Sequence, residues 1–248
     1  MSATQRSCNY HDDVPAIAVC TKCGEDICGR CHGADGHGLA VCACCRRDAG
    51  TPTVPWESAQ QAATASGFIQ TVLVALTDPR HFFRRFRHHA HSWAMPAVFA
   101  IICILIGTVV DTLWRKAFSA EYAEPLHDYS EQFGLSVDVV ELLQFAAIAP
   151  GAVAIYFAHT ALVYLALQAF GIDDAQWPKV ARITGYAMAS YLLLVFPPIG
   201  EFPLGQFLMI LWLFNLEVGA LRSLFGLGFW KSIGVILPPF LVFVLLIG

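Results

Sequence analysis

From residue 95 to the C-terminal end, long apolar runs alternate with short polar breaks. A transmembrane helix needs about 20 mainly apolar residues to cross roughly 30 Å of hydrocarbon. Five runs qualify, at about 96–114, 142–170, 180–199, 203–221 and 231–248. The second is longer than one crossing needs, so it should tilt or extend beyond the bilayer. The fifth contains Pro238-Pro239, which predicts a kink. Upstream the pattern changes twice. Residues 66–94 join an apolar stretch to a basic, histidine-rich one and read as amphipathic juxtamembrane helices. Residues 49–65 are rich in Thr, Pro, Ala and Gln and read as a flexible linker. Residues 1–48 hold Cys, His, Gly and charge, with no apolar run. No internal repeat is visible. The pattern predicts an all-α polytopic membrane protein: a five-helix transmembrane bundle over 95–248, preceded by a small metal-binding head.

Composition supports lipid as the solvent. The chain is 56% hydrophobic and 14% charged, against roughly 45–50% apolar and about 25% charged in soluble domains. The small net charge of −4 argues against nucleic acid as a partner and leaves the bilayer. The loops set an orientation. Arg80, Arg84, Arg85 and Arg87 precede the first span. Glu121, Glu124, Asp128, Glu131 and Asp138 dominate the loop after it. Lys179 and Arg182 fall between the second and third spans, and Arg222 and Lys231 between the last two. The Lys/Arg bias places the N-terminus inside, and five crossings then place the C-terminus outside. Residues 1–20 lack the apolar region of a secretory signal, so a cytosolic head is expected.

Nine cysteines are present, eight of them before residue 46. Cytosolic thiols stay reduced, so metal explains them better than disulfides. The ligand candidates pair at two-residue gaps: Cys8/His11, Cys20/Cys23, Cys28/Cys31 and Cys42/Cys45. Each gap turns two side chains toward one ion, and tetrahedral structural zinc takes four such ligands. Eight ligands suit two zinc ions per chain. The short gap from Cys23 to Cys28 favours interleaved, cross-braced sites: Cys8, His11, Cys28 and Cys31 at one, Cys20, Cys23, Cys42 and Cys45 at the other. Cys44 is left over, and His37 with Cys42 is an alternative final pair. So short a module cannot bury a sufficient core, so metal must supply much of its folding free energy. Fully protein-ligated sites leave no position for a catalytic water. The run Cys8-x2-His11, Cys20-x2-Cys23-x4-Cys28-x2-Cys31 resembles the B-box-type zinc fingers over about 45 residues. That resemblance implies a two-zinc fold used for protein–protein contact or self-association. The final ligands depart from it, since that family usually ends in histidines.

Between head and bundle, Thr77 or Asp78 can cap a helix beginning at Pro79. Phe82, Phe83 and Phe86 then share one face, and Arg80, Arg84 and Arg87 the other, with Arg85 adding charge. Such a helix suits the membrane interface, although the arginines also serve topology alone. The histidines His81, His88, His89 and His91 read as an exposed polar stretch. The phrase Asp78-Pro79-Arg80-His81-Phe82-Phe83-Arg84, then Trp93 and Pro96, is similar to bacterial members of the Yip1 family. Pro150-Gly151, Gly171, Ile183-Thr184-Gly185-Tyr186 and Phe196-Pro197-Pro198-Ile199-Gly200 extend the resemblance over roughly 70–248. It implies a five-span bundle with a cytoplasmic N-terminal region in the bacterial cytoplasmic membrane. The family's eukaryotic members act in vesicle traffic with small GTPases, and carrying that role over would be analogy alone.

Ionisable groups in hydrocarbon cost on the order of 2.5–3.5 kcal/mol and need partners. His159, Tyr186 and Glu217 fall at similar depth in three spans and predict a polar layer, read as a structural clasp or as an ion path. No HExxH, phosphate-cradling loop or nucleophile–base pair is present, so an enzyme is not expected. The favoured expectation is a membrane adaptor whose head recruits an unidentified cytosolic or membrane protein, with homo-oligomerisation left open. The alternative is a small-solute or ion transporter using the polar layer.

Overall fold

The N-terminal head is built from short strands because Cys and His pairs at two-residue gaps interrupt its chain every few residues. In the computed structural model the described residues are 7–8, 11–21, 26–34, 38–43, 54–57, 63–84, 93–118, 123–200 and 202–247. Strands β1 (Ser7–Cys8) and β2 (His11–Pro15) pair antiparallel, with Cys8 opposite His11. Strands β3 (Ala18–Val19) and β4 (Asp26–Ile27) pair likewise, as do β5 (His32–Ala34) and β6 (Ala40–Cys42). The buried core of the head is Cys8, Cys20, Ile27, Cys28, Cys31, Val41 and Cys42. Val14 and Ala18 pack against this core, which is small and mostly cysteine.

The remainder is helical. Helix α1 (Ala65–Thr77) starts at Thr64, whose hydroxyl accepts the Gly67 N–H at 3.1 Å. Helix α2 (Pro79–Arg84) begins at the proline, as the sequence predicts. Then come α3 (Ala94–Phe118), α4 (Ala123–Phe133), α5 (Val137–Ala169), α6 (Trp177–Ala187), α7 (Leu204–Leu224) and α8 (Phe229–Ile247). Among the described residues, α3, α5 and α7 are long and apolar enough to cross a membrane. Their outward faces carry exposed apolar side chains such as Val98, Ile106, Leu142, Leu165, Phe207 and Leu211. Apolar surface this extensive is what lipid covers. The fifth expected span corresponds to α8, which carries Pro238 and Pro239 within it.

The third expected span differs from a plain helix. After eleven residues, α6 tightens into a 3-10 helix over Met188–Val195. Runs beyond three or four residues are uncommon for that geometry. Its context shows what the tight winding accommodates. A Cβ on Gly107 of α3 would sit 2.3 Å from the Tyr191 carbonyl oxygen, and one on Gly205 of α7 would sit 2.7 Å from that of Phe196. The segment passes between two helices at backbone contact, where a narrower cylinder fits. The Trp114 indole N–H also reaches the Val195 carbonyl at 3.2 Å.

Gly107→Ala should therefore destabilise the bundle by about 1–3 kcal/mol, because the clash is with backbone. Gly219→Ala, at a helical position with open space around it, should leave stability unchanged or slightly raised. Thermal unfolding in detergent checks both; equal melting temperatures would refute the close approach.

Candidate functional site

The head brings its first four ligands together from elements far apart in sequence. Cys8 ends β1 and His11 begins β2, and Cys28 and Cys31 follow β4 through a tight turn in which the Cys31 N–H bonds the Cys28 carbonyl at 3.0 Å. His11 Nδ1 lies 3.9 Å from Cys8 Sγ, 3.5 Å from Cys28 Sγ and 3.4 Å from Cys31 Sγ. Cys8 and Cys31 sulfurs are 3.9 Å apart, and all four ligand atoms lie within 4.8 Å of one another. An ion with bonds of roughly 2.0–2.3 Å in a tetrahedron needs edges of about 3.6–3.8 Å. The four separations of 3.4–3.9 Å bracket that range, so these donors could hold a metal ion. Burial, with the Cys8 and Cys28 thiols beside it, pushes the Cys31 thiol up to about 12. A bound cation would reverse this, since coordinated thiols lose their protons.

Of the second expected set, Cys20 and Cys42 are both buried, and the Cys42 amide donates to Cys20 Sγ at 3.3 Å. The Thr21 amide bonds the Ala40 carbonyl, which ties the β3 end to β6. Cys23, Cys45 and the alternative ligand His37 lie outside the described residues.

Within the bundle the expected polar layer resolves into two separate clusters. His159 Nε2 of α5 lies 2.5 Å from Glu217 Oε1 of α7, both side chains having no exposed surface. The second Glu217 oxygen has no hydrogen-bond partner among the described residues. Tyr186 does not join this pair. Its hydroxyl donates instead to Glu57 Oε1 at 2.7 Å, and Arg182 Nη2 donates to Glu57 Oε2 at 2.5 Å. Arg182 is 1% exposed.

Glu57 belongs to the stretch that reads as flexible linker, and here the structure corrects the sequence. Residues Pro55–Glu57 form a 3-10 turn whose Val54, Pro55 and Trp56 are buried against the helices. The Trp56 amide donates to the Thr71 hydroxyl at 2.9 Å, and its indole N–H to the Met95 carbonyl at 3.0 Å. Its ring packs edge-on against Phe68 and Phe99. A second correction concerns Phe82 and Phe83. Both are fully buried, packed on each other, and Phe82 stacks edge-on against Tyr186. Their rings belong to the protein core and not to the headgroup boundary, because α2 folds back onto α7. The side chains of Arg80 and Arg84, and all of Arg85 and Phe86, lie outside the described residues.

The helical part has a recognisable pattern as a whole: residues 73–248 match the Yip1 domain. The chain belongs to the Yip1 family. No curated protein and no solved structure matches it. The Yip1 domain begins within α1, so it contains His159, Glu217, Arg182 and Tyr186 but not Glu57 or Trp56. The buried arginine of the domain therefore meets a carboxylate from outside it. In the sequence, Arg182 reads as a topology-setting loop charge and Glu57 as part of the linker. The available signal was Pro55-Trp56-Glu57, a bulky aromatic beside an acid in an otherwise small and polar stretch.

Removing one member of a fully buried hydrogen-bonded pair leaves the other unsatisfied, at a cost of about 1–3 kcal/mol. His159→Ala or Glu217→Ala alone should lower stability in that range. The double change His159→Leu/Glu217→Leu should recover much of the loss. A double-mutant cycle by denaturant titration measures it; singles within about 0.5 kcal/mol of wild type would contradict the clasp.

Proposed function

We propose that this Yip1-family membrane protein is an adaptor: a cytosolic zinc finger recruits a protein partner, and the helical bundle anchors it in the membrane. The observation that carries this reading is the closed four-ligand set Cys8, His11, Cys28 and Cys31. Three sulfurs and one imidazole nitrogen are donors typical of structural zinc, and a site filled by protein keeps no position for substrate. We assign the second zinc to Cys20, Cys23, Cys42 and Cys45, for two ions per chain, in the interleaved manner of B-box-type fingers. Cofactor and fold then serve recognition. The Yip1 family is not known as an enzymatic one.

In the same reading the bundle crosses the membrane five times, with the head cytosolic and the C-terminus outside. The α6 helix and its 3-10 continuation supply the third crossing. Eleven residues at 1.5 Å and eight at 2.0 Å span about 33 Å, close to the roughly 30 Å of hydrocarbon. α8 supplies the fifth, with Phe229 and Trp230 exposed at its start as interface anchors. The charge of Arg80, Arg84 and Arg85, read from the sequence, suits anionic lipid on the inner side. The Glu217 oxygen without a partner favours, as a second reading, an ion path through the His159–Glu217 pair.

Metal analysis of protein purified without chelator should return two zinc ions per chain, and Cys28→Ser should lose one. Absence of zinc would refute the assignment. Deleting residues 1–48 separates the two functional readings. An adaptor loses its crosslinked, co-purifying partner on deletion, whereas a transporter keeps both its partners and its flux.

A further inference from the structure

The carboxylate on Arg182 is the chain's own, yet it comes from outside the Yip1 domain. Everything that receives it is inside: Arg182 donates to one oxygen and Tyr186 to the other. The neighbouring slot is also prepared. Trp56 enters between Phe68 and Phe99, with its indole N–H on the Met95 carbonyl, and Phe99 in turn packs 5.0 Å from Tyr186. The aromatic slot and the carboxylate clamp are thus adjacent and share one wall.

We propose that this is a peptide-recognition site formed by the Yip1 domain together with the first turns of α1 that lead into it, where Phe68 and Thr71 lie, specific for a short segment with an aromatic residue followed by an acid, and that Val54–Glu57 fills it in cis. Among the described residues the occupant's contacts are specific. Side chains make the indole and carboxylate contacts, and one backbone amide, that of Trp56, bonds the Thr71 hydroxyl. Another chain offering Trp-Glu in the same turn makes the same contacts. A free anion satisfies Arg182 and Tyr186 but leaves the aromatic slot empty. Because the occupant is tethered, it acts at an effective concentration of order mM. A competing segment therefore binds only when the strap is displaced, which makes Val54–Glu57 an internal mask over the site. The inference stands apart from the adaptor reading, since none of these residues is a metal ligand.

The test uses the full-length chain in detergent and a fluorescent peptide with the sequence of residues 52–60. In the Trp56→Ala/Glu57→Gln variant the strap no longer fits, and fluorescence anisotropy should show the peptide binding at least tenfold more tightly than to wild type. A peptide carrying the same two changes should bind at least tenfold more weakly. Glu57→Gln alone keeps the Trp56 wedge and should give an intermediate gain, which serves if the double variant does not stay monodisperse. Equal binding of the peptide to wild type and variants, equal binding of both peptides, or no binding at all overturns the proposal. Displacement of the peptide by millimolar inorganic phosphate as effective as by unlabelled peptide also overturns it, since the site would then recognise an anion only. None of these outcomes depends on whether deletion of residues 1–48 loses a partner.

Discussion

A guanidinium buried among helices has to be met by a negative charge, and in this chain that requirement reaches beyond the domain holding it. Arg182 lies on α6 with almost no exposed surface. Desolvating it without a partner costs several kcal/mol. Glu57 supplies the partner from 125 positions away. The consequence is mechanical as much as electrostatic. The same contact seats Trp56 between α1 and α3 and fixes where the N-terminal segment leaves the bundle. Tyr186, Phe99 and Phe82 then form a continuous aromatic wall behind the ion pair.

That anchor limits the reach of the head. From Ala43, the last described residue of the head, to Val54, where the strap begins, eleven peptide units span at most about 40 Å. Were the whole expected linker free, the tether would extend to the start of α1 and reach correspondingly further. The head itself is held by a different physics. Its core is mostly sulfur, and Cys8, His11, Cys28 and Cys31 converge so that they could hold a metal ion. One chain thus gathers buried Cys and His side chains where it is small and polar, and uses close backbone packing with buried polar pairs where it is apolar.

Much of this was legible in the sequence. Span positions follow from apolar run lengths, because lipid sets a fixed thickness and nothing local competes with it; α3, α5 and α7 overlap their expected ranges. The convergence of Cys8, His11, Cys28 and Cys31 was legible because a two-residue gap constrains geometry locally, and two such pairs suffice to form a four-donor group. His159 and Glu217 paired for a similar reason: two buried ionisable groups at matching depth have few alternatives. What was not legible depends on tertiary docking. Periodicity does not reveal that α2 turns its phenylalanines inward, nor that α6 tightens at Met188 to pass Gly107. It also does not show Tyr186 pairing with Glu57, since a small-residue segment containing one Trp-Glu dipeptide has the same composition whether free or docked.

Hydrogen–deuterium exchange of the intact protein measures directly the seating of Val54–Glu57 against α1, α3 and α6. The Trp56 amide is bonded to the buried Thr71 hydroxyl and the Glu57 amide to the Val54 carbonyl. Peptides covering these residues should exchange as slowly as those of α1. Exchange at the rate of an unstructured chain would contradict the anchor and return this segment to the role of a linker.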